Sequence, residues 1–130
     1  HHDYSSISTG IIRQYAGKKL LEPARRRMIL DRGRDILRGN LEYLQNWIAD
    51  RGERFRLTPP RAGGMAFVHY DLPIDSSELA GRLRREKSVL VVPGDWFGMD
   101  HYIRFGIGCE RRVLAEGLRL IDEFLSENGW

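Results

Sequence analysis

The stretch VVPGDWFGMDHYIRFGIG, residues 91–108, holds a short strand whose two faces have opposite character. Side chains alternate across a strand, so Ile103, Phe105 and Ile107 share one side and Tyr102, Arg104 and Gly106 the other. Three large apolar residues in alternation mark the first side as core. Arg104 then projects from the opposite face of a strand near the middle of a sheet, beside an aromatic ring and the open space over a glycine. Two readings of that guanidinium remain open. It snorkels to water or pairs with a carboxylate of its own domain such as Asp100 or Glu53. Alternatively its rigid fork of donors meets a planar anion arriving from outside. The preceding loop, Pro93 to Gly98, carries Trp96 and Phe97, which either cap the core or line a pocket for a small ligand beside a fixed cation.

Outward from this strand, the pattern is that of one α+β domain. Ser8-Thr9-Gly10 precedes a short helix in which Ile12, Tyr15, Ala16 and Leu20 can share a face. Pro23 restarts the pattern. From Ala24 to about Ala49, Leu30, Ile36, Leu37, Leu41, Leu44 and Ile48 recur at three- and four-residue spacing, one stripe on a long helix. Gly33 and Gly39 weaken this helix without breaking it, and Asp50-Arg51-Gly52 ends it. The period then shortens. Residues 54–57 and 65–70 read as strands around a Gly63-Gly64 turn, and Asp75 caps a helix carrying Leu79 and Leu83. Residues 88–94 read as a strand apolar on both faces and so interior to the sheet. A final amphipathic helix, about Arg111 to Glu127, aligns Leu114, Leu118, Ile121 and Leu125. The expected architecture is a small mixed or antiparallel sheet of about four strands with helices on one face.

Composition sets the outer limits. The 130 residues make one domain, with 42% hydrophobic and 30% charged residues. No apolar run approaches the roughly 18 residues of a membrane helix, so no membrane role is expected. The net charge of +3 arises from 21 basic and 18 acidic residues. Arg25-Arg26-Arg27, Arg82 with Arg84-Arg85, and Arg111-Arg112 lie in or beside helical patterns with acidic neighbours. They read as solvated helix faces, and no nucleic-acid partner is expected. One cysteine, Cys109, suits a reducing, cytoplasmic compartment; it is either buried or tuned by a helix start. His1-His2-Asp3-Tyr4 has no signal-peptide character, and the two histidines are either native or the remains of a tag. His69 and His101 stand far apart in sequence, and no metal site is expected. No P-loop, dinucleotide fingerprint or Gly-x-Ser-x-Gly elbow is present.

The same stretch resembles the late segment of class I and II aminotransferases, the pyridoxal-phosphate enzymes of the aspartate aminotransferase superfamily, fold type I. That pattern is an apolar strand, Pro-Gly, Phe-Gly, then an Ile-Arg strand and an amphipathic helix, matched by Val91 to Gly98, Ile103-Arg104 and the helix after Glu110. HDYSSIS (2–8) resembles the segment leading into the family's interdomain helix. RGNLEYLQNWI (38–48) is similar to that helix, and PPRAGGMAFVHYDL (59–72) to its Pro-x-x-Gly-Gly strand entry.

The resemblance implies that residues 1–130 are the C-terminal small domain of a longer aminotransferase, with the cofactor-binding large domain outside them. It implies amino acid and 2-keto acid substrates, with Arg104 as the arginine that binds the substrate α-carboxylate, and a homodimeric parent that carries pyridoxal 5'-phosphate. The family's Schiff-base lysine has no counterpart here. Lys18 and Lys19 belong to a helical face and Lys87 to a charged turn, so no catalytic residue and no bound cofactor are expected in this stretch. A β-lyase or synthase of the same fold, and an amino-acid-sensing domain of a transcription regulator, are the other readings that the resemblance leaves open.

Overall fold

A computed structural model of the chain describes residues 10–130, which divide into units ending and starting at Arg34 and Asp35. The first unit holds helix α1 (Ile11–Leu21) and the opening turns of helix α2 (Pro23–Ala49). Gly10 starts α1, its carbonyl accepting from Arg13 N at 2.9 Å; Ser8 and Thr9, which precede it, and the stretch 2–8 lie outside the described residues. The apolar side chains Ile12, Tyr15 and Leu20 of α1 are exposed. Pro23 occupies the first position of α2, where its missing N–H costs no hydrogen bond.

Helix α2 runs 27 residues, about 40 Å at 1.5 Å per residue, through Gly33 and Gly39 without interruption. Its stripe is buried only over the second half. Leu30 is exposed, Ile36, Leu37 and Leu41 are half-buried, and Leu44, Trp47 and Ile48 are in the core. The chain leaves the helix through Gly52, whose φ of 60° a residue without Cβ adopts freely.

In the second unit four strands, β1 (Phe55–Leu57), β2 (Met65–Tyr70), β3 (Val92–Pro93) and β4 (Tyr102–Gly106), form one sheet in the order β1-β2-β4-β3, every pair antiparallel. Helix α3 (Ser76–Lys87) and helix α4 (Arg111–Glu127) supply Leu79, Leu83, Leu118, Ile121 and Phe124 to the core that covers one sheet face. This is the α+β arrangement expected. Asp75 caps α3 as expected, its carboxylate accepting from Glu78 N at 2.8 Å. Trp47 Nε1 and Arg51 Nε of α2 both donate to Asp122 of α4, at 3.1 and 2.8 Å, while the guanidinium lies 4.0 Å from the Trp47 ring centroid.

One strand departs from expectation. Residues 88–94 do not form an interior strand; only Val92 and Pro93 pair, and they form the sheet edge. Pro93 has no N–H to give to a further neighbour, which suits an edge position. Val89 and Val91 turn into the core while Leu90 is 81% exposed, so the apolar run is one-sided.

A buried amide joins α2 to the chain that follows β4. Asn40 is 2% exposed, and its Nδ2 donates to the carbonyls of Ile107 at 3.0 Å and Cys109 at 2.8 Å. Asn40→Leu removes both donors from carbonyls inside the fold. Urea denaturation is expected to show a loss of about 2 kcal/mol or more, since each orphaned buried acceptor costs about 1–3 kcal/mol.

Candidate functional site

Strand β4 separates core from site by alternation. Ile103, Phe105 and Ile107 are 5% exposed or less, whereas Tyr102 and Arg104 stand half-buried on the other face. Register brings Phe67 of β2 opposite Arg104 and His69 opposite Tyr102, with Val92 of β3 across from Arg104 on the other side. The rings pack together. Phe67 stacks on Tyr102 at 5.3 Å with planes 15° apart, His69 meets Tyr102 edge-on at 5.0 Å, and Phe97 meets Phe67 edge-on at 5.9 Å.

The guanidinium carbon of Arg104 lies 5.1 Å from the centre of the Phe97 ring. Phe67, Phe97 and Arg104 line an open cavity of about 260 Å³. The Nε of Arg104 is buried without a hydrogen-bond partner, and no ion pair to Arg104 occurs among the described residues. Both carboxylates considered as partners are engaged elsewhere. Asp100 Oδ1 accepts from Ser76 N at 2.8 Å and His101 N at 2.7 Å, and Glu53 lies 3.8 Å from Arg56. A guanidinium held over an aromatic ring, with no ion pair among the described residues, can take a planar oxyanion through parallel charge-assisted hydrogen bonds.

Of the two loop aromatics, the structure brings Phe97 to Arg104 and leaves Trp96 73% exposed. Phe97 is placed by the short helical turn Asp95–Phe97, which the N-terminus of α3 anchors. Asp95 N donates to Ser76 Oγ at 3.0 Å, and Ser77 Oγ donates to Asp95 Oδ2 at 2.5 Å. Gly94 starts the turn because no side chain fits there. A Cβ would stand 2.7 Å from Tyr102 Cβ and press on the Met99 carbonyl oxygen.

Sequence reasoning missed Phe67 and the ring stack, since the pairing of β2 with β4 spans more than thirty residues of chain. The alternation of Met65, Phe67 and His69 along β2 was the available signal. His101 does not join His69. It sits in the turn before β4 at φ 59° with its ring against Tyr70, and no group of three or more metal-ligating side chains converges among the described residues. Cys109 Sγ lies 3.7 Å from the Gly106 carbonyl oxygen. Arg25, Arg82 and Arg112 each pair with a neighbouring glutamate, at 3.5, 2.7 and 2.8 Å. No helix among the described residues is long and apolar enough to cross a membrane.

Two ionisable groups beneath the loop are displaced from their ordinary values. The backbone N–H groups of Ser76 and His101 hold the Asp100 carboxyl below the usual carboxylate range. Burial, and then the charges of Asp100, Asp75 and Asp95, raise the Tyr70 phenol, which donates to the Ile74 carbonyl at 3.0 Å.

No family model matches the sequence. The chain is 35% identical over 88 residues to the capreomycidine synthase of Streptomyces vinaceus, covering 68% of this chain and 23% of that protein. It is 40% identical over 55 residues to an aspartate aminotransferase of Streptomyces avermitilis, covering 42% and 14%. A pyridoxal-phosphate-dependent aminotransferase from Streptococcus suis superposes with a TM-score of 0.85 at 31% identity, over 97% of this chain and 33% of that one. The chain shares sequence and fold with fold-type I pyridoxal-phosphate-dependent enzymes of the aspartate aminotransferase superfamily. It spans about a quarter or less of the two curated relatives.

No lysine lines the cavity beside Arg104. Lys87, the single lysine of the second unit, is 13% exposed at its side chain and bonded to Glu127 at 2.6 Å on the helical side of the domain. Lys18 and Lys19 belong to α1 in the first unit.

Gly94→Ala is expected to displace the Asp95–Phe97 turn and lower the melting temperature by several degrees, because backbone and Tyr102 must both give way. Loss of the Phe67–Phe97 ring contact in nuclear Overhauser spectra is the accompanying local readout. The depressed Asp100 pKa makes a second expectation. Its contribution to stability is present above the ordinary carboxylate value and is lost as pH falls below about 4 toward the folded-state value. In acid titrations followed by circular dichroism, Asp100→Asn is expected to flatten the decline over that window.

Proposed function

We propose that the chain is the C-terminal small domain of a pyridoxal-phosphate-dependent aminotransferase, and that Arg104 binds the α-carboxylate shared by its amino acid and 2-keto acid substrates. In this reading the large domain of the same parent chain brings the cofactor and its lysine. The parent works as a cytoplasmic homodimer. The single observation that carries the role of Arg104 is its guanidinium, which has no carboxylate partner among the described residues yet is fixed on an interior strand at the mouth of an aromatic cavity.

The physical case is one of orientation. Two parallel N–H···O bonds from one guanidinium fix both the distance and the plane of a carboxylate, which leaves the substrate Cα one direction in which to point. Phe97 and Tyr102 restrict water around that pair, and a lower local dielectric strengthens it. Lysine would supply the charge without the plane.

A second reading keeps Arg104 in the same role but changes the reaction. The match to a capreomycidine synthase covers more of this chain than the match to an aspartate aminotransferase, which favours a synthase of the same fold as the alternative. An aminotransferase turns the amino acid into its 2-keto acid, and mass spectrometry of the reaction mixture shows whether that product forms.

The test of Arg104 uses the full-length parent. Arg104→Ala is expected to raise the KM for the amino acid substrate about ten- to a hundred-fold, from the loss of hydrogen bonds to a charged group. Arg104→Lys is expected to recover only part of that loss. An unchanged KM in both variants would remove Arg104 from the substrate site.

A further inference from the structure

The loop that carries Phe97 is held without an apolar core of its own. Trp96, Phe97 and Met99 are 73%, 51% and 42% exposed, so burial does little to fix it. Bonds within the loop make it a stiff unit. Phe97 N and Met99 N both donate to the Gly94 carbonyl, at 2.8 and 3.0 Å, and Gly98 N donates to the Asp95 carbonyl at 2.9 Å. Such a turn keeps its own shape, but the direction in which it points has to come from bonds to the rest of the fold. Those run from Gly94 N to the Tyr102 carbonyl, at 2.7 Å, and from Asp95 and Asp100 to the first two residues of α3.

Ser76 reaches both ends of the loop. At the front its Oγ accepts from Asp95 N at 3.0 Å, and at the back its N–H donates to Asp100 Oδ1 at 2.8 Å. The N–H groups of Ser76 and His101, with the Ser76 hydroxyl behind them, hold the Asp100 carboxyl below the usual carboxylate range, so the hydroxyl proton has an acceptor while its oxygen serves Asp95. Ser76 is 0% exposed, and water has little access to its side of these bonds. Ser77 Oγ also bonds Asp95, at Oδ2 and 2.5 Å, but in the open, where water offers a substitute.

We propose that Ser76 is a positioning residue for the carboxylate-binding arginine, acting from the far side of the loop. Its hydroxyl fixes the Asp95–Phe97 turn so that the Phe97 ring stays beside the Arg104 guanidinium, 5.1 Å away. A long side chain has several staggered rotamers, and a ring held against it narrows them before a carboxylate arrives. Removal of the hydroxyl leaves Asp95 N without this acceptor and frees the turn to pivot about Gly94, which takes the ring from the guanidinium. Ser76 touches no substrate; its effect passes through Phe97. The inference rests on the reading of Arg104 as the α-carboxylate anchor, and it adds the residue that keeps the aromatic neighbour of that anchor in place.

The experiment uses the full-length parent and the variants Ser76→Ala, Phe97→Leu, the two combined, and Arg104→Lys. Calorimetry measures the binding of butyrate, a carboxylate without an amino group, as a readout independent of turnover. Steady-state kinetics separate kcat from the KM for the amino acid substrate, and hydrogen exchange read by mass spectrometry follows residues 94–98. Ser76→Ala is expected to weaken butyrate about three- to tenfold and to raise KM by a like factor, with kcat changed less than about twofold. Exchange is expected to quicken over residues 94–98 and to stay slow on β4. In the Phe97→Leu background, Ser76→Ala is expected to weaken butyrate no further, because the two act as one unit.

Unchanged butyrate affinity in Ser76→Ala, beside weakened binding in Arg104→Lys, overturns the inference and leaves the α-carboxylate reading intact. The inference also falls if Ser76→Ala weakens butyrate equally with and without the Phe97 ring, because Ser76 then supports the fold at large. An Arg104→Lys variant that binds butyrate as the parent does sinks the α-carboxylate reading, and the positioning role of Ser76 with it.

Discussion

The register of β4 is the constraint on which the rest of the domain depends. The strand is paired on both sides, so its residues have no freedom to rotate, and its two faces carry incompatible chemistry. A slip of one residue would drive Arg104 into the core and bring Ile103 and Phe105 out to the cavity side. Three large apolar side chains at 5% exposure or less oppose that slip, each worth about 1.5–3 kcal/mol of burial. A buried unpaired guanidinium would add a cost of several kcal/mol against it. The interactions that build the core therefore also fix where the Arg104 guanidinium stands.

Holding the cation is not sufficient; its surroundings must be held as well. The loop from Gly94 to Asp100 has no room for a side chain at its start and is tied at both ends to the first residues of α3. Asp100 accepts from the backbone of Ser76 and of His101, so one carboxylate joins the start of a helix to the entrance of the strand that bears Arg104. Phe97 lies between these anchors. The aromatic neighbour of Arg104 is thus positioned by hydrogen bonds on the opposite side of the loop, which keeps the polar groups that do the holding away from the cavity.

Much of this domain is legible in the chain because its helices carry long, regular stripes. Leu114, Leu118, Ile121 and Leu125 are buried along α4 as their spacing predicts. Period-two alternation likewise identifies both faces of β4. Where the reading failed, the deciding information was non-local. The run from Val89 to Val92 is apolar throughout, and only the position of Pro93 at the sheet edge and the exposure of Leu90 show that one face meets no partner. Asn40 interrupts an apolar stripe in a way that is visible in sequence, yet the carbonyls it serves are 67 and 69 residues away. The candidate site divides along the same line. Arg104 stands out because a charge in a strand is conspicuous, whereas Phe67 and His69 reach it only through the pairing of β2 with β4.

The two faces of the sheet differ in completeness more than in polarity. On the helical side the polar atoms find partners: Asn40 bonds two carbonyls, and the Asp122 carboxylate takes bonds from both Trp47 and Arg51. On the other side stand the two buried side-chain atoms without partners among the described residues, Arg104 Nε and His69 Nδ1, both beside Phe67 and Tyr102. Each such atom calls for a partner, be it a water, an ion or a group from outside the unit. A stacked pair of rings is a stiff floor, because each ring has few rotamers and its neighbours occupy the space it would need to turn. The two unpaired atoms are therefore held at a fixed separation by the fold itself. A face held in that way would spend the energy of any binding on orienting what it binds and not on ordering the protein.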